Sequence, residues 1–138
     1  DLGLPIFASG EVSVLIVTTT AGAKRLRKQQ IPDAVKICAV RGGSAIRAST
    51  IINRVRRVNT GKLILVEGGP RLLGDFYAER MLDEQFLTLS PQIAGRHIDD
   101  KRISLVMGQM FAPRNPLWGT LVDLRRGSNH LFLRYSFP

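Results

Sequence analysis

The sequence predicts an α/β fold, a three-layer arrangement in which a mixed β-sheet carries helices on both faces and ends in an antiparallel hairpin. Three strand-then-helix units follow one another in the first 80 residues, and each strand is a continuous apolar run typical of sheets covered on both faces. Beyond residue 83 the pattern changes to short strands separated by turn residues. No repeat or linker divides residues 1–138, so we expect a single domain.

The predicted order in the first part is strand 12–18, helix 21–30, strand 35–40, a helix capped by Ser49 or Thr50, strand 63–66 and helix 71–80. Apolar residues spaced three and four apart give each helix one face to bury. In the second part the predicted strands are 84–90, 102–107, 121–125 and 130–135. The last two flank residues 126–129, a glycine-containing connection of hairpin length.

The composition indicates a soluble protein of a reducing compartment. Hydrophobic residues make up 44% and charged residues 22%, and no apolar run reaches the roughly 18 residues of a membrane span. Cys38 is the only cysteine, which excludes an internal disulfide and favours the cytoplasm. The net charge of +9 favours an anionic partner, but aromatic residues are only 7% and do not alternate with the basic ones. A phosphorylated small molecule is therefore favoured over nucleic acid.

Polar and flexible residues follow each of the three predicted parallel strands. Thr18 and Thr19 end the first strand, Arg41 follows the second, and residues 67–69 follow the third. Ligands of open α/β sheets bind beyond the carboxyl ends of the strands. We therefore expect these residues to converge on one edge, where the hydroxyl groups and the guanidinium could bind phosphate.

The motif VEGGP, at residues 66–70, is the most informative part of this edge. Gly68 and Gly69 permit positive φ and a close approach of a ligand to the main chain. Pro70 suits the first position of a helix, whose free amides and dipole favour an anion. Glu67 follows a strand that is predicted to be buried and so needs a partner, either a structural one or a polar ligand. A paired-glycine turn before a helix is by itself more often a tight connection than a ligand site, and only the convergence of these features indicates a site.

The sequence does not contain the common signatures of other sites. Neither GxGxxG nor a phosphate-binding loop ending in GKS or GKT occurs, and there is no Gly-x-Ser-x-Gly elbow. His97 and His130 have no cysteine or carboxylate at ligand spacing, so no metal site is expected. Cys38 is interpreted as an inert core thiol, and Phe111 and Trp118 as packing residues.

The run LILVEGGPRLLGDFYAERMLDEQFLTLSPQIAG, residues 63–95, resembles the C-terminal reductase domain of riboflavin-biosynthesis deaminase-reductases, which have a dihydrofolate-reductase-like fold. IVTTTAGA upstream and LFLRYSF near the end also resemble this family, so the likeness covers nearly all of residues 5–138. The resemblance implies an NADPH-dependent oxidoreductase. Its substrate would be 5-amino-6-(5-phosphoribosylamino)uracil, a phosphorylated pyrimidine whose ribosyl group is reduced to a ribityl group by hydride transfer.

By the same resemblance, Glu67 would face the pyrimidine of the substrate. The implied cofactor-binding residues are Thr18, Thr19, Arg41, Gly68, Gly69, Pro70, Arg71 and Leu72. The family also implies a homodimer formed through the C-terminal strands. No catalytic residue can be assigned.

Two features depart from the family pattern. The family's opening segment, which contributes a strand and much of the substrate pocket, is absent before Asp1, so we expect completion by another segment or chain. No arginine immediately follows Thr18, which leaves the choice between NADPH and NADH open. The alternatives are a dihydrofolate-reductase-like oxidoreductase with another substrate, and a nonenzymatic module that binds nucleotide or nucleic acid.

Overall fold

The computed structural model describes residues 2–43, 45–100 and 103–138. The chain divides into two compact units, Asp1–Leu65 and Val66–Pro138. The first unit holds a two-stranded parallel sheet, and the second holds a three-stranded antiparallel sheet. The predicted mixed α/β class is therefore confirmed, while the single-domain organisation stays a prediction.

The first unit contains, in chain order, α1 (Pro5–Ala8), β1 (Val14–Thr19), α2 (Thr20–Leu26), β2 (Val35–Val40) and α3 (Ala48–Val58). Strands β1 and β2 pair in parallel, as predicted, with Val14 opposite Val35 and Thr19 opposite Val40. The second unit contains α4 (Pro70–Ala78), β3 (Glu84–Leu89), β4 (Thr120–Gly127) and β5 (His130–Ser136). Its strand order is β3-β5-β4.

The C-terminal hairpin is confirmed, with a shorter turn than expected. Strands β4 and β5 pair up to Gly127 and His130, so Ser128 and Asn129 alone form the connection. Ser128 has a φ of 51°, as the tight two-residue turns of hairpins require. A bulge between Leu121 and Asp123 interrupts the regular register of β4.

The prediction of a strand over residues 63–66 is wrong. This segment is extended, but no backbone hydrogen bond joins it to any other described residue. Leu63 is 89% exposed and Leu65 is 72% exposed. A strand exists only when a neighbour accepts and donates its main-chain hydrogen bonds, and the residues described supply no neighbour here.

The prediction of a strand over residues 102–107 is also wrong for the residues of this segment that the structure describes. Residue 102 lies outside the described residues, and residues 103–107 are irregular. They lie against α4, because the Met107 amide donates to the Pro70 carbonyl at 3.0 Å. A Cβ at Gly74 would come within 2.6 Å of the Met107 carbonyl oxygen, so glycine at this helix position allows the close approach.

The core of the described residues is small. Its fully buried apolar side chains include Ala23, Ala48 and Phe76, with exposures of 2%, 0% and 2%. Every residue of β1 is only half-buried, although its apolar run predicts cover on both faces. Helix α3 begins two residues before the predicted N-cap Thr50, and Arg47 precedes it without a side-chain capping bond. None of the helices in the described part of the chain is long and apolar enough to cross a membrane.

Candidate functional site

The junction of β1 and α2 holds the two predicted threonines. Thr19 is the N-cap of α2, and its hydroxyl accepts a hydrogen bond from the Gly22 amide at 3.1 Å. This bond satisfies one of the amides that a helix leaves free at its first turn. The Thr19 hydroxyl therefore has a structural role, and its proton and second lone pair stay available for another polar group.

Thr18 packs against the same helix. A Cβ at Gly22 would lie 2.1 Å from the Thr18 hydroxyl oxygen and 3.3 Å from its Cβ, and both residues are at least half-buried. A larger residue at position 22 would therefore require the Thr18 side chain to move. The sequence reasoning did not single out Gly22, although the small residues of Thr-Ala-Gly-Ala directly after a strand are a sign of close backbone approach.

Arg41 follows β2 directly and lies at the same end of the parallel pair as Thr18 and Thr19, because Thr19 is opposite Val40. Its side chain is exposed and forms no ion pair with another described residue. Thr20 joins the two strand ends, since its hydroxyl donates to the Val40 carbonyl at 3.4 Å. The structure therefore confirms that the first two strands bring hydroxyl groups and a guanidinium to one edge.

Glu67 differs from its prediction. Its side chain is exposed, and it has no hydrogen bond or ion pair within the described residues. The expectation of a buried carboxylate is wrong because it depended on a paired and covered strand at residues 63–66, and that strand is not formed. A carboxylate in this position is free to meet a polar ligand.

The two glycines after Glu67 have different structural roles. Neither Gly68 nor Gly69 has a positive φ, so the turn does not use the left-handed conformation that glycine permits. A Cβ at Gly68 would lie 2.6 Å from Cδ2 of Leu72, so this glycine lets the chain pack closely on the first turn of α4. Gly69 has a φ of −72° and no atom within 4 Å of the position of a Cβ. The fold does not require glycine there, and the space beside its main chain is open.

Helix α4 begins at Pro70, as predicted, and no side chain caps it. Leu73 makes the first intrahelical bond, from its amide to the Gly69 carbonyl at 3.1 Å. The amides of Arg71 and Leu72 precede it in the first helical turn, where α-helix geometry provides no acceptor within the helix. Arg71 is exposed and adds a positive charge to the positive end of the helix dipole. This turn can therefore bind an anion such as a phosphate.

The structure gathers the predicted residues into two groups. Thr18, Thr19 and Arg41 lie at one strand edge of the first unit. Residues 67–72 form the turn into α4 in the second unit. The convergence of both groups on one ligand stays a prediction.

Other polar contacts of the second unit were not foreseen. The Arg134 guanidinium holds Glu84 with two hydrogen bonds, one of them from Nε to Oε2 at 2.9 Å, and these lower the pKa of the carboxyl group. The Tyr77 hydroxyl donates to the Gln85 side chain, and burial raises the pKa of this phenol. The Tyr77 contact joins α4 to β3, and the Glu84 contact joins β3 to β5. Glu84 and Arg134 are far apart in the sequence, so sequence patterns could not predict their contact.

The remaining predictions concern metal and packing residues. Among the residues that the structure describes, no cluster of three His, Cys, Asp or Glu side chains could hold a metal ion. Cys38 is half-buried in β2. Trp118 is 79% exposed, so its assignment as a packed residue is wrong; it lines a pocket of about 220 Å³ with Tyr77, Arg80 and Phe137.

Comparison with solved structures finds a similar chain in the crystal structure of a pyrimidine reductase-like protein from Corynebacterium diphtheriae. The two share 21% sequence identity and a TM-score of 0.72. The match covers 100% of this chain but 56% of the other, so the chain spans little more than half the length of that protein. The likeness shows a shared fold, which agrees with the predicted dihydrofolate-reductase-like architecture. No curated protein matches the sequence.

In a comparison with protein families, residues 3–110 match the model of the RibD C-terminal domain. These residues are more than half of the chain. They include both strand ends of the first unit and the whole turn into α4. The chain therefore belongs to the RibD C-terminal domain family.

Proposed function

We propose that this chain is the reductase part of a riboflavin-biosynthesis enzyme, which reduces the ribosyl group of 5-amino-6-(5-phosphoribosylamino)uracil to a ribityl group with NADPH. The family match over residues 3–110 carries the proposal. When bound, the nicotinamide supplies the hydride. The chain's own residues bind and align the two reactants, which is where protein groups contribute to a hydride transfer.

The turn into α4 would hold the pyrophosphate of the cofactor. Its amides lack a capping side chain, and the space at Gly69 leaves the main chain open to an approaching ligand. Gly68, Pro70, Arg71 and Leu72 shape and charge this turn. The residues present therefore fit an anionic group, with backbone donors and one guanidinium.

Thr18, Thr19 and Arg41 would bind the adenosine end of the cofactor. The hydroxyl groups and the exposed guanidinium lie at one strand edge, and both are groups that bind a 2′-phosphate well. This part of the site distinguishes NADPH from NADH. Glu67 would accept hydrogen bonds from the pyrimidine, since its carboxylate is exposed and has no partner within the described residues.

We also propose that residues 63–66 become a sheet strand when a segment outside these 138 residues lies beside them. The extended backbone, which has no backbone hydrogen bond to the part of the chain that the structure describes, and the exposed Leu63 and Leu65 support this. Catalytic activity would then require that segment. We expect weak activity for the 138-residue chain and full activity for a polypeptide extended at its N-terminus.

The test is a titration with NADPH and NADH, followed by an assay with the phosphoribosylamino pyrimidine and with dihydrofolate-type pterins. We expect tighter binding of NADPH and turnover of the pyrimidine alone. Turnover of a pterin instead would assign a different substrate to the same fold. No detectable binding of either dinucleotide by the N-terminally extended protein would refute the proposal.

A further inference from the structure

The pocket of about 220 Å³ in the second unit lies at the C-terminal end of α4. Tyr77 and Arg80 line it from the end of this helix, and Leu82 lines it from the connection to β3. Trp118, just before β4, and Phe137, just after β5, complete the wall used in this argument. All five residues belong to the second unit, so the pocket is formed within one compact body. We call it the Trp118 pocket.

The Trp118 pocket is separate from the turn that would hold the cofactor. That turn leads into α4 at Pro70, and the pocket begins at Tyr77 near the other end of the helix. The rise of an α-helix, about 1.5 Å per residue, places these two residues roughly 10 Å apart along the axis. A ligand in the pocket would therefore occupy a second site.

The walls of the pocket are held in place by contacts within the second unit. The Phe137 amide donates to the Asp83 carbonyl at 2.9 Å, and the Tyr77 ring packs edge-on against the Phe137 ring with centroids 5.3 Å apart. A Cβ at Gly119 would lie 2.9 Å from Cε1 of Phe137, so glycine lets the chain next to Trp118 cross this ring closely. The pocket is therefore formed before any ligand binds, as small-molecule sites usually are.

The size of the pocket and the exposure of its tryptophan favour an aromatic ligand. Trp118 lines the pocket and yet is 79% exposed, so its indole ring is left with a flat apolar face that the fold does not cover. Aromatic rings pack on such a face in offset or edge-on arrangements. An engineered apolar cavity of about 150 Å³ is large enough for benzene, so the Trp118 pocket has room for one or two rings.

Arg80 supplies the charge of the pocket. It is the one charged side chain among the described residues that line it, and it forms no ion pair with another described residue. Its φ is 52°, its amide donates to the Tyr77 carbonyl, and the Met81 amide donates to the Phe76 carbonyl, which is the Schellman ending of a helix. Glycine is the usual residue at this left-handed position, so the helix ending does not explain an arginine there.

We propose that the Trp118 pocket binds a small planar aromatic carboxylate. The ring of the ligand packs against Trp118 and the apolar wall, and the Arg80 guanidinium binds the carboxylate with two parallel hydrogen bonds. A carboxylate suits the pocket better than a phosphate, because one guanidinium neutralises one negative charge and the wall offers no second cationic side chain among the described residues.

The test is a titration followed by nuclear magnetic resonance of the isotope-labelled chain, in which Trp118, the only tryptophan, gives a single indole N–H signal. We expect 2-naphthoate to shift this signal saturably. The neutral 2-naphthamide has the same rings and should bind at least about fivefold more weakly, because it cannot form a charge-assisted pair with arginine. Arg80→Gln should abolish this preference. Arg126→Gln removes the same charge near the other end of β4, and it should leave both affinities unchanged.

Three results would overturn the proposal. The first is the absence of a saturable shift in the wild-type chain up to the solubility limit of 2-naphthoate. The second is a preference for the carboxylate that is missing in wild type or unchanged in Arg80→Gln, since the pocket would then not select for charge. The third is competition between 2-naphthoate and NADPH, which would contradict a separate site. Thermal melting checks that each variant folds, and Arg80→Gly, which suits the left-handed backbone, replaces Arg80→Gln if the latter is unfolded. No measurement depends on turnover, so this proposal can fail while the proposed function holds.

Discussion

Replacement of Gly69 by valine tests the proposed cofactor site independently of the stability of the fold. The backbone at Gly69 has a φ of −72° and a ψ of 165°, a conformation that β-branched residues adopt readily. No atom of the described residues lies within 4 Å of the added Cβ. Replacing glycine at a compatible backbone position typically stabilises a protein by about 0.4–1 kcal/mol, because the unfolded chain loses freedom. Gly69 is also the N-cap of α4, where valine is less favourable than glycine, so we expect Gly69→Val to unfold at a urea concentration close to that of wild type.

The same substitution places two methyl groups beside the main chain that would face the pyrophosphate. We expect NADPH to bind at least tenfold more weakly, which corresponds to about 1.4 kcal/mol. Fluorescence titration with NADPH measures this change, and urea denaturation measures stability. A comparison for stability alone is Gly68→Ala, whose Cβ would lie 2.6 Å from Leu72 Cδ2. It should cost about 1 kcal/mol of stability, the lower end for overpacking, because the end of the leucine side chain can rotate away.

Gly69→Val must weaken NADPH binding without a matching loss of stability. If Gly69→Val binds NADPH as tightly as wild type, the turn into α4 does not hold the cofactor. If its stability falls as much as its affinity, Gly69 is a structural residue, and the open space beside it has no functional meaning.

Three further substitutions test the packing and electrostatics. Gly22→Ala should lower the free energy of unfolding, measured by urea denaturation, by about 1–3 kcal/mol, because its Cβ would meet the Thr18 hydroxyl. Adding Thr18→Ala should restore part of this loss. No loss of stability in Gly22→Ala would contradict the close approach. Thr19→Ala should cost about 1 kcal/mol by the same assay while Thr19→Ser costs little, and equal losses would show that the helix cap is unimportant. Arg134 lowers the pKa of Glu84, so this carboxylate stabilises the fold above its unfolded pKa near 4.5, and the contribution is lost as the pH falls through the lower folded value. Glu84→Gln should therefore flatten the decline of melting temperature below about pH 4.5, and an unchanged decline would argue against the pair.

Local features could be predicted from the sequence. The start of α4 at Pro70 follows from the proline itself and from the apolar residues after it. The hairpin follows from two β-prone runs around Ser128 and Asn129. The parallel pairing of β1 and β2, and with it the position of Arg41 beside the threonines, follows from the strand-helix-strand order.

Features that depend on distant partners could not be predicted. Residues 63–66 have the composition of a strand, but pairing needs a neighbour that composition does not reveal. The error on Glu67 followed from this one, since its burial was inferred from that strand. Residues 103–107 also contain β-prone side chains, yet their contact with Gly74 on α4 decides their course. Tertiary contacts override local preference in both segments.

The unpaired backbone at residues 63–66 also bears on how this chain behaves in concentrated solution. Leu-Ile-Leu-Val is apolar and strongly β-prone, carries no charge within it, and presents main-chain donors and acceptors that have no backbone partner among the described residues. Such a segment is a template on which another molecule can add a strand, the first step toward ordered aggregates. The flanking Lys62 and Glu67 are charged residues of the kind that oppose such stacking. Expression of the 138 residues alone should consequently yield more insoluble protein than expression with a segment that occupies this edge.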